Sequence, residues 1–190
     1  MRTSVSGMAV VAACIIPAAS GCGGDEGLGS DPLEGVYQWI SHEERTPCDG
    51  QWEPMDEFGR PQTDYFKLMV GQFLTAVLLE YHDCPDATGE GCDESISLSY
   101  SFFEKDGQWT SAITSCWYIE PEGCQVEHAT GTPEETADGI QLLKTRSSGV
   151  AAGVTLEQCV GENALDAEDL VAKAEMSCES QERHRAERVE

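Results

Sequence analysis

The sequence predicts a mainly β domain, an antiparallel up-and-down meander of about seven or eight strands followed by one α-helix. Two observations support this fold class. Short runs of residues alternate between apolar and polar and are separated by Gly, Pro and Asp, which is typical of half-buried strands. Near the carboxyl end the period changes to that of a helix. The helical stripe consists of Ala167, Leu170, Val171, Ala174 and Cys178.

The strongest local signal is Asp106-Gly107, the preferred pair for a two-residue hairpin turn. This turn pairs strand 95–104 with strand 108–117 and fixes their register. One face of the hairpin is then largely apolar and the other is rich in Ser and Thr, as a half-buried sheet requires. The predicted pairs on the apolar face are Glu104 with Trp109, Tyr100 with Ile113, and Ile96 with Trp117.

The remaining strands follow from the same alternation. We predict strands at 33–40, 65–70, 73–82 and 124–130, and a hairpin of 139–146 with 149–157 around Ser147-Ser148. A turn at Gly71-Gln72 separates the second from the third, and 41–63 is a long loop. If Cys84 lies opposite Cys92, Leu78 pairs with Leu98 and Leu74 with Phe102. Either Asn163 followed by Asp166, or Asp166 followed by Asp169, supplies the acidic residues that suit the start of the helix.

The first residues have the layout of a signal peptide, predicted over 1–21: a positive start, an apolar run at 8–16 and small residues before Cys22. Ala19-Ser20-Gly21-Cys22 resembles the lipobox of bacterial lipoproteins, which implies acylation of Cys22 and a lipid-anchored protein of the cell envelope, at the outer membrane. A Gly- and acid-rich tether at 22–32 follows. Cleavage at Cys14 and a soluble secreted protein cut near Gly21 are the alternatives.

Charge and size limit the functions of the ordered part. The chain has 35 acidic and 11 basic residues and a net charge of −24. We predict that the protein does not bind nucleic acid, because such binding needs Lys and Arg to neutralise phosphates. Residues 33–178 are long enough for one disulfide-stapled β domain with its helix, and 179–190 is predicted to be a charged tail.

Besides Cys14 and Cys22 the chain has seven cysteines, which in an exported protein predict disulfides. Seven residues separate Cys84 from Cys92, and the same spacing separates Cys116 from Cys124. Local hairpin geometry predicts a bond within each of these pairs. Proximity predicts a third bond. That bond joins Cys159 to Cys178 and leaves Cys48 over, although Cys48 could displace any of them.

The succession of strands and a final helix resembles the lipocalin and wider calycin barrels. Gly35-Val36-Tyr37 stands where that family has Gly-x-Trp, and Thr63-Asp64-Tyr65 spells another of its motifs. The resemblance implies a barrel that holds a small apolar ligand, with segment 41–63 over its mouth. An open sheet or a β-sandwich would give the same alternation. The candidate cavity residues are Tyr100, Phe102, Trp109, Ile113 and Trp117.

No pattern of catalytic or cofactor-binding residues is recognisable. The histidines His42, His82 and His128 and the more distant His184 fall in separate predicted elements without metal-ligand spacing. The acidic loop after Cys84 fails the EF-hand template at its last position. We therefore expect no enzyme, no metal and no cofactor. The hypothesis is a non-catalytic binding module of the envelope, and the alternative is a structural or protein-interaction module that uses an acidic surface.

Overall fold

The computed structural model describes residues 31–56, 60–73, 75–95, 97 and 100–189. The predicted leader, Cys22 and the tether up to residue 30 lie outside these residues. The described part confirms a mainly β fold, a closed antiparallel barrel of eight strands with two short helices. The elements in chain order are β1 (Gly35–Arg45), β2 (Glu53–Pro54), β3 (Tyr65–Phe73), β4 (Ala76–Cys84), β5 (Phe102–Lys105), β6 (Gln108–Ile119), β7 (Gly123–Glu135), β8 (Gly139–Ala151), α1 (Leu156–Val160), α2 (Ala167–Lys173) and β9 (Ser177–Val189).

The barrel strands are β1 and β3 to β9, each hydrogen-bonded to the next, and pairing of β9 with β1 closes the circle. Consecutive neighbours confirm the up-and-down meander. β1 pairs with β3 from Gly35 to Gln38 and with β9 along nearly its whole length. The two-residue strand β2, within the predicted long loop, pairs with Glu43 and Glu44 of β1.

The prediction of a charged tail at 179–190 is wrong, because residues through Val189 belong to β9. Nearly half of the 13 side chains of β9 are charged, and these charges hide the alternation of His184 and Ala186 with polar neighbours. Those two side chains are 0% and 4% exposed, respectively. The tail is therefore a barrel strand with one buried face.

The helical region differs from the prediction in length. Asp166 caps α2 by accepting from the backbone N–H of Asp169 at 2.8 Å, which is the second of the two predicted helix starts. α2 ends at Lys173, so Cys178 lies on β9 and not on the helix. The sequence does not predict α1, which precedes α2. Thr155 and Gln158 form a capping box at the start of α1.

The hairpin at Asp106-Gly107 is confirmed, with positive φ at both residues and Glu104 opposite Trp109. The predicted strand 95–104 is too long, because β5 begins at Phe102. Tyr100 therefore precedes the strand and does not pair with Ile113. The side chain of Ser101 accepts from Tyr81 N at 3.1 Å, where a regular ladder would continue.

The predicted register across β4 is wrong as well. Phe102 pairs with Leu79, and Leu78 pairs with Phe103. Leu74, Ile96 and Leu98 lie outside the described residues. Two predicted turns are also absent. β3 and β4 continue to the Phe73–Ala76 pair instead of turning at Gly71, and β8 runs unbroken through Ser147-Ser148.

The described chain forms two compact units, each with its own apolar core. One comprises residues 31–112, Ala129–Arg146 and 178–189. Its core is formed by Leu33, Tyr37, Trp39, Phe66, Leu68, Leu79, Tyr81, Phe102, Ile140, Leu142 and Ala186. The other comprises Ile113–His128 and Ser147–Ser177. Its core is formed by Cys124, Val126, Ala151, Val154, Cys159 and Leu170.

Three disulfides join described residues, and one matches the predicted pairing. Cys84 is bonded to Cys92. The predicted bonds Cys116–Cys124 and Cys159–Cys178 are wrong. Cys124 is bonded to Cys159 of α1, because α1 lies against β7 in the second core. Cys48, predicted to be left over, is bonded to Cys178, because the pairing of Arg45 with Gln181 brings the ends of β1 and β9 together.

The assignment of 179–190 to a strand can be tested by truncation after Cys178. Because β9 supplies the closing pairing and two buried side chains, we expect loss of cooperative urea unfolding and of near-ultraviolet circular dichroism. Ala186→Asp, which places a carboxylate in the core, should destabilise by about 2–4 kcal/mol. Glu187→Asp on the same strand, at an exposed position, is the control, with an expected change within about 0.5 kcal/mol. A truncated protein that unfolds like the full chain would contradict the assignment.

Candidate functional site

A β-bulge in β1 selects the side chains that face the interior. The register between β1 and β9 shifts by one residue after Trp39, so Ile40 is the extra residue and is 54% exposed. A bulge changes the alternation of side chains along a strand. His42 consequently lies near Trp39, with ring centroids 5.1 Å apart, and it pairs with His184 of β9.

The two imidazoles contact each other through their Nδ1 atoms, which are 2.8 Å apart. One nitrogen must donate and the other accept, so the pair shares a single proton at this contact. His184 is fully buried. Its Nε2 lies 3.5 Å from Oε2 of Glu182, longer than a normal hydrogen bond, and has no hydrogen-bond partner among the described residues.

Burial determines the charge of this pair. Burial, with the nearby charges of His184 and Arg60, lowers the pKa of His42 to about 4. Burial also lowers the pKa of His184, although Glu182 acts in the opposite direction. The interaction with His184 holds the pKa of Glu182 below its usual range. At neutral pH the site therefore has two neutral imidazoles beside a carboxylate.

Lys144 of β8 places its amine against the face of Tyr100, with Nζ 3.4 Å from the ring centroid. Burial lowers the pKa of Lys144 to about 8, opposed by the charge of Glu182. Burial raises the pKa of Tyr100 to about 12. The ring of Tyr100 also meets His184, centroid to centroid at 5.6 Å. We call His42, Tyr100, Lys144, Glu182 and His184 the histidine cluster.

Stacked aromatic rings continue from the histidine cluster into the core. Trp39 and Phe66 stack at 4.1 Å between centroids, and Phe66 and Tyr81 at 5.0 Å. The hydroxyl of Tyr81 donates to Oδ1 of Asp83 at 2.8 Å, and burial together with this contact raises the pKa of Tyr81. The indole Nε1 of Trp39 is buried and has no hydrogen-bond partner among the described residues.

This arrangement combines aromatic surfaces with polar groups whose hydrogen-bonding capacity is not fully used. Buried polar atoms in native proteins are nearly always hydrogen-bonded, to protein or to ordered water. Nε1 of Trp39 can only donate, and Nε2 of His184 donates or accepts according to its tautomer. With the Lys144 amine, the site is suited to a small molecule that has an apolar body and an acceptor group.

The predicted cavity residues are not gathered at one site. Tyr100 belongs to the histidine cluster. Phe102 is fully buried in the core that contains Trp39 and Phe66, and Trp109 packs against that core. The Nε1 of Trp109 donates to Asp31 at 2.9 Å. Ile113, 46% exposed, and Trp117 belong to the other compact unit.

Sequence reasoning missed His42, Lys144, Glu182 and His184. His42 follows a bulge that no residue pattern marks, and His184 and Glu182 lie in the segment that the sequence predicts to be a charged tail. An inward alternation of Glu182, His184 and Ala186 is the signal that could have identified them.

A search against protein-family models, curated proteins and solved structures finds no match to this chain. The resemblance to lipocalins therefore rests on the architecture alone, an antiparallel barrel of eight strands. Among the described residues, no helix has the length and apolarity needed to cross a membrane. The three disulfides fit an oxidising, extracytoplasmic compartment.

The buried histidine pair predicts a loss of stability in mild acid. The pKa of His42 lies near 4 in the folded protein and about 6.5 in an unfolded chain. The unfolded chain therefore binds more protons in this window, and the free energy of unfolding falls as pH decreases from about 7 towards 4. Urea unfolding at several pH values measures this slope, which the double variant His42→Gln/His184→Gln should flatten. An unchanged slope would count against the assignment, whatever the absolute stability of the variant.

Proposed function

We propose that this chain is a lipid-anchored protein of the bacterial cell envelope and that its barrel is a non-catalytic binding module. The ligand is a small molecule with an apolar body and a carboxylate or similar acceptor group. The observation that carries the proposal is a buried pair of nitrogens, Nε1 of Trp39 and Nε2 of His184, that have no hydrogen-bond partner among the described residues and lie on rings whose centroids are 5.8 Å apart.

The chemistry of the surrounding groups supports this ligand class. The Trp39, Phe66 and Tyr81 rings offer flat apolar surface. The amine of Lys144, with a pKa of about 8, is mainly protonated at pH 7 and can meet a carboxylate. Glu182 neutralises part of this positive charge, so the site favours a single anionic group over a multiply charged one.

A second candidate is a module that recognises a protein of the envelope through an acidic surface. The net charge of −24 favours this alternative, since a charge of that size attracts basic partners by salt-sensitive steering. This binding would not depend on Lys144, which separates it from the first candidate.

Ligand binding can be measured with cis-parinaric acid, a fluorescent fatty acid with an apolar chain and a carboxylate. We expect saturable binding to the purified, delipidated protein. Lys144→Met should weaken it about tenfold or more, the effect of losing one charge-assisted hydrogen bond. Lys173→Met, at an exposed position of α2, is the matched control and should bind as the unmodified protein does. Absence of saturable binding, or equal weakening by both variants, would refute the proposed ligand class.

Attachment to the membrane can be tested separately at Cys22. When the chain is expressed with its own leader in a Gram-negative bacterium, we expect incorporation of a labelled fatty acid and partition into the detergent phase of Triton X-114. Cys22→Ala should abolish both. Cys14→Ala is the control, because it removes the competing candidate for acylation and should leave both unchanged. Lipidation that persists in Cys22→Ala would contradict the proposal.

A further inference from the structure

Three cysteine sulfurs lie together in the unit formed by Ile113–His128 and Ser147–Ser177. The Sγ atoms of Cys116, Cys124 and Cys159 all lie within 4.8 Å of one another, and Cys124 is bonded to Cys159. The two bonded residues are buried, whereas Cys116 on β6 is partly exposed. The thiol of Cys116 donates to the carbonyl oxygen of Cys159 at 3.5 Å. A thiol is thus held against a disulfide.

We propose that these three sulfurs form an internal thiol–disulfide exchange site. The thiolate of Cys116 attacks one sulfur of the Cys124–Cys159 bond, a new S–S bond forms, and the displaced sulfur leaves with the electron pair as a thiolate. Cys116 releases its proton to solvent, and the displaced thiolate takes one up. The site contains one disulfide and one thiol before and after the step, so no oxidant or reductant is consumed.

Each possible product changes which elements are covalently joined. Attack on Cys124 joins the neighbouring strands β6 and β7 and releases Cys159 of α1. Attack on Cys159 joins β6 to α1 and releases Cys124 of β7. In the observed pairing α1 is tied to β7. Exchange therefore transfers the covalent attachment of α1 or removes it.

The same three residues have the ligand type of a zinc or copper(I) site. A disulfide, however, offers no thiolate, and the metal-binding form of cysteine is the thiolate. A bond within the group therefore favours exchange over metal binding as the chemistry of this site.

Irreversible alkylation tests the proposal on the full mature chain. The purified protein is incubated with iodoacetamide at pH 8, near the ordinary thiol pKa of about 8.5, for increasing times. It is then acidified and digested with pepsin, because exchange stops when thiolates are protonated. We expect carbamidomethyl groups on Cys124 or Cys159 in a fraction of molecules, with the other two sulfurs joined. Alkylation of Cys116 alone, with the Cys124–Cys159 bond intact throughout, is the contrary result.

Three variants provide matched controls. Cys116→Ser removes the nucleophile and should leave a single pairing with no alkylation in this group. Cys159→Ser should form a Cys116–Cys124 bond, and Cys124→Ser a Cys116–Cys159 bond. Near-ultraviolet circular dichroism verifies that each variant is folded. If alkylation of the unmodified protein stays confined to Cys116 and neither variant forms its bond, the proposal is overturned.

Discussion

The pairing of β1 with β9 is the interaction on which the rest of the structure depends. It turns an open meander with two exposed edges into a closed barrel. It also sets Cys48 and Cys178 within bonding distance, and that disulfide closes a separation of 130 residues. By the chain-entropy model a loop of that length stabilises the fold by about 4–5 kcal/mol. An ion pair of Arg183 with Glu43 at 2.8 Å strengthens the same seam.

The same pairing places unfavourable groups in the interior. It sets His42 against His184, and burial opposes the charging of both imidazoles. It also leaves Nε2 of His184 and Nε1 of Trp39 without hydrogen-bond partners among the described residues. A strand with only apolar inward residues would make a more stable closure. Departures from local rules of this kind are expected at functional sites, and the histidine cluster is where this chain concentrates them.

Sequence reasoning identified what short-range chemistry determines. Asp106-Gly107 specifies its turn because both residues need positive φ, and Asp166 specifies a helix start through its own side chain. It failed where long-range pairing decides. β9 has the composition of a solvated tail and becomes a strand because β1 offers it a partner. Since His184 and Glu182 lie on β9, losing that strand also meant losing the candidate site.

The cysteines show the same division more sharply. Cys84 and Cys92 close a short loop, and local spacing is enough to pair them. Spacing also brought Cys116 and Cys124 onto neighbouring strands, and the structure does place their sulfurs within 4.8 Å. The spacing could not reveal that α1 folds against β7 and supplies Cys159 as a competing partner. The predicted Cys116–Cys124 bond and the observed Cys124–Cys159 bond thus involve the same group of three sulfurs. The prediction was wrong about which bond forms but right that Cys116 and Cys124 lie close together. Under the proposed exchange, the connectivity of these three sulfurs is an equilibrium among pairings, which neither sequence nor fold alone determines.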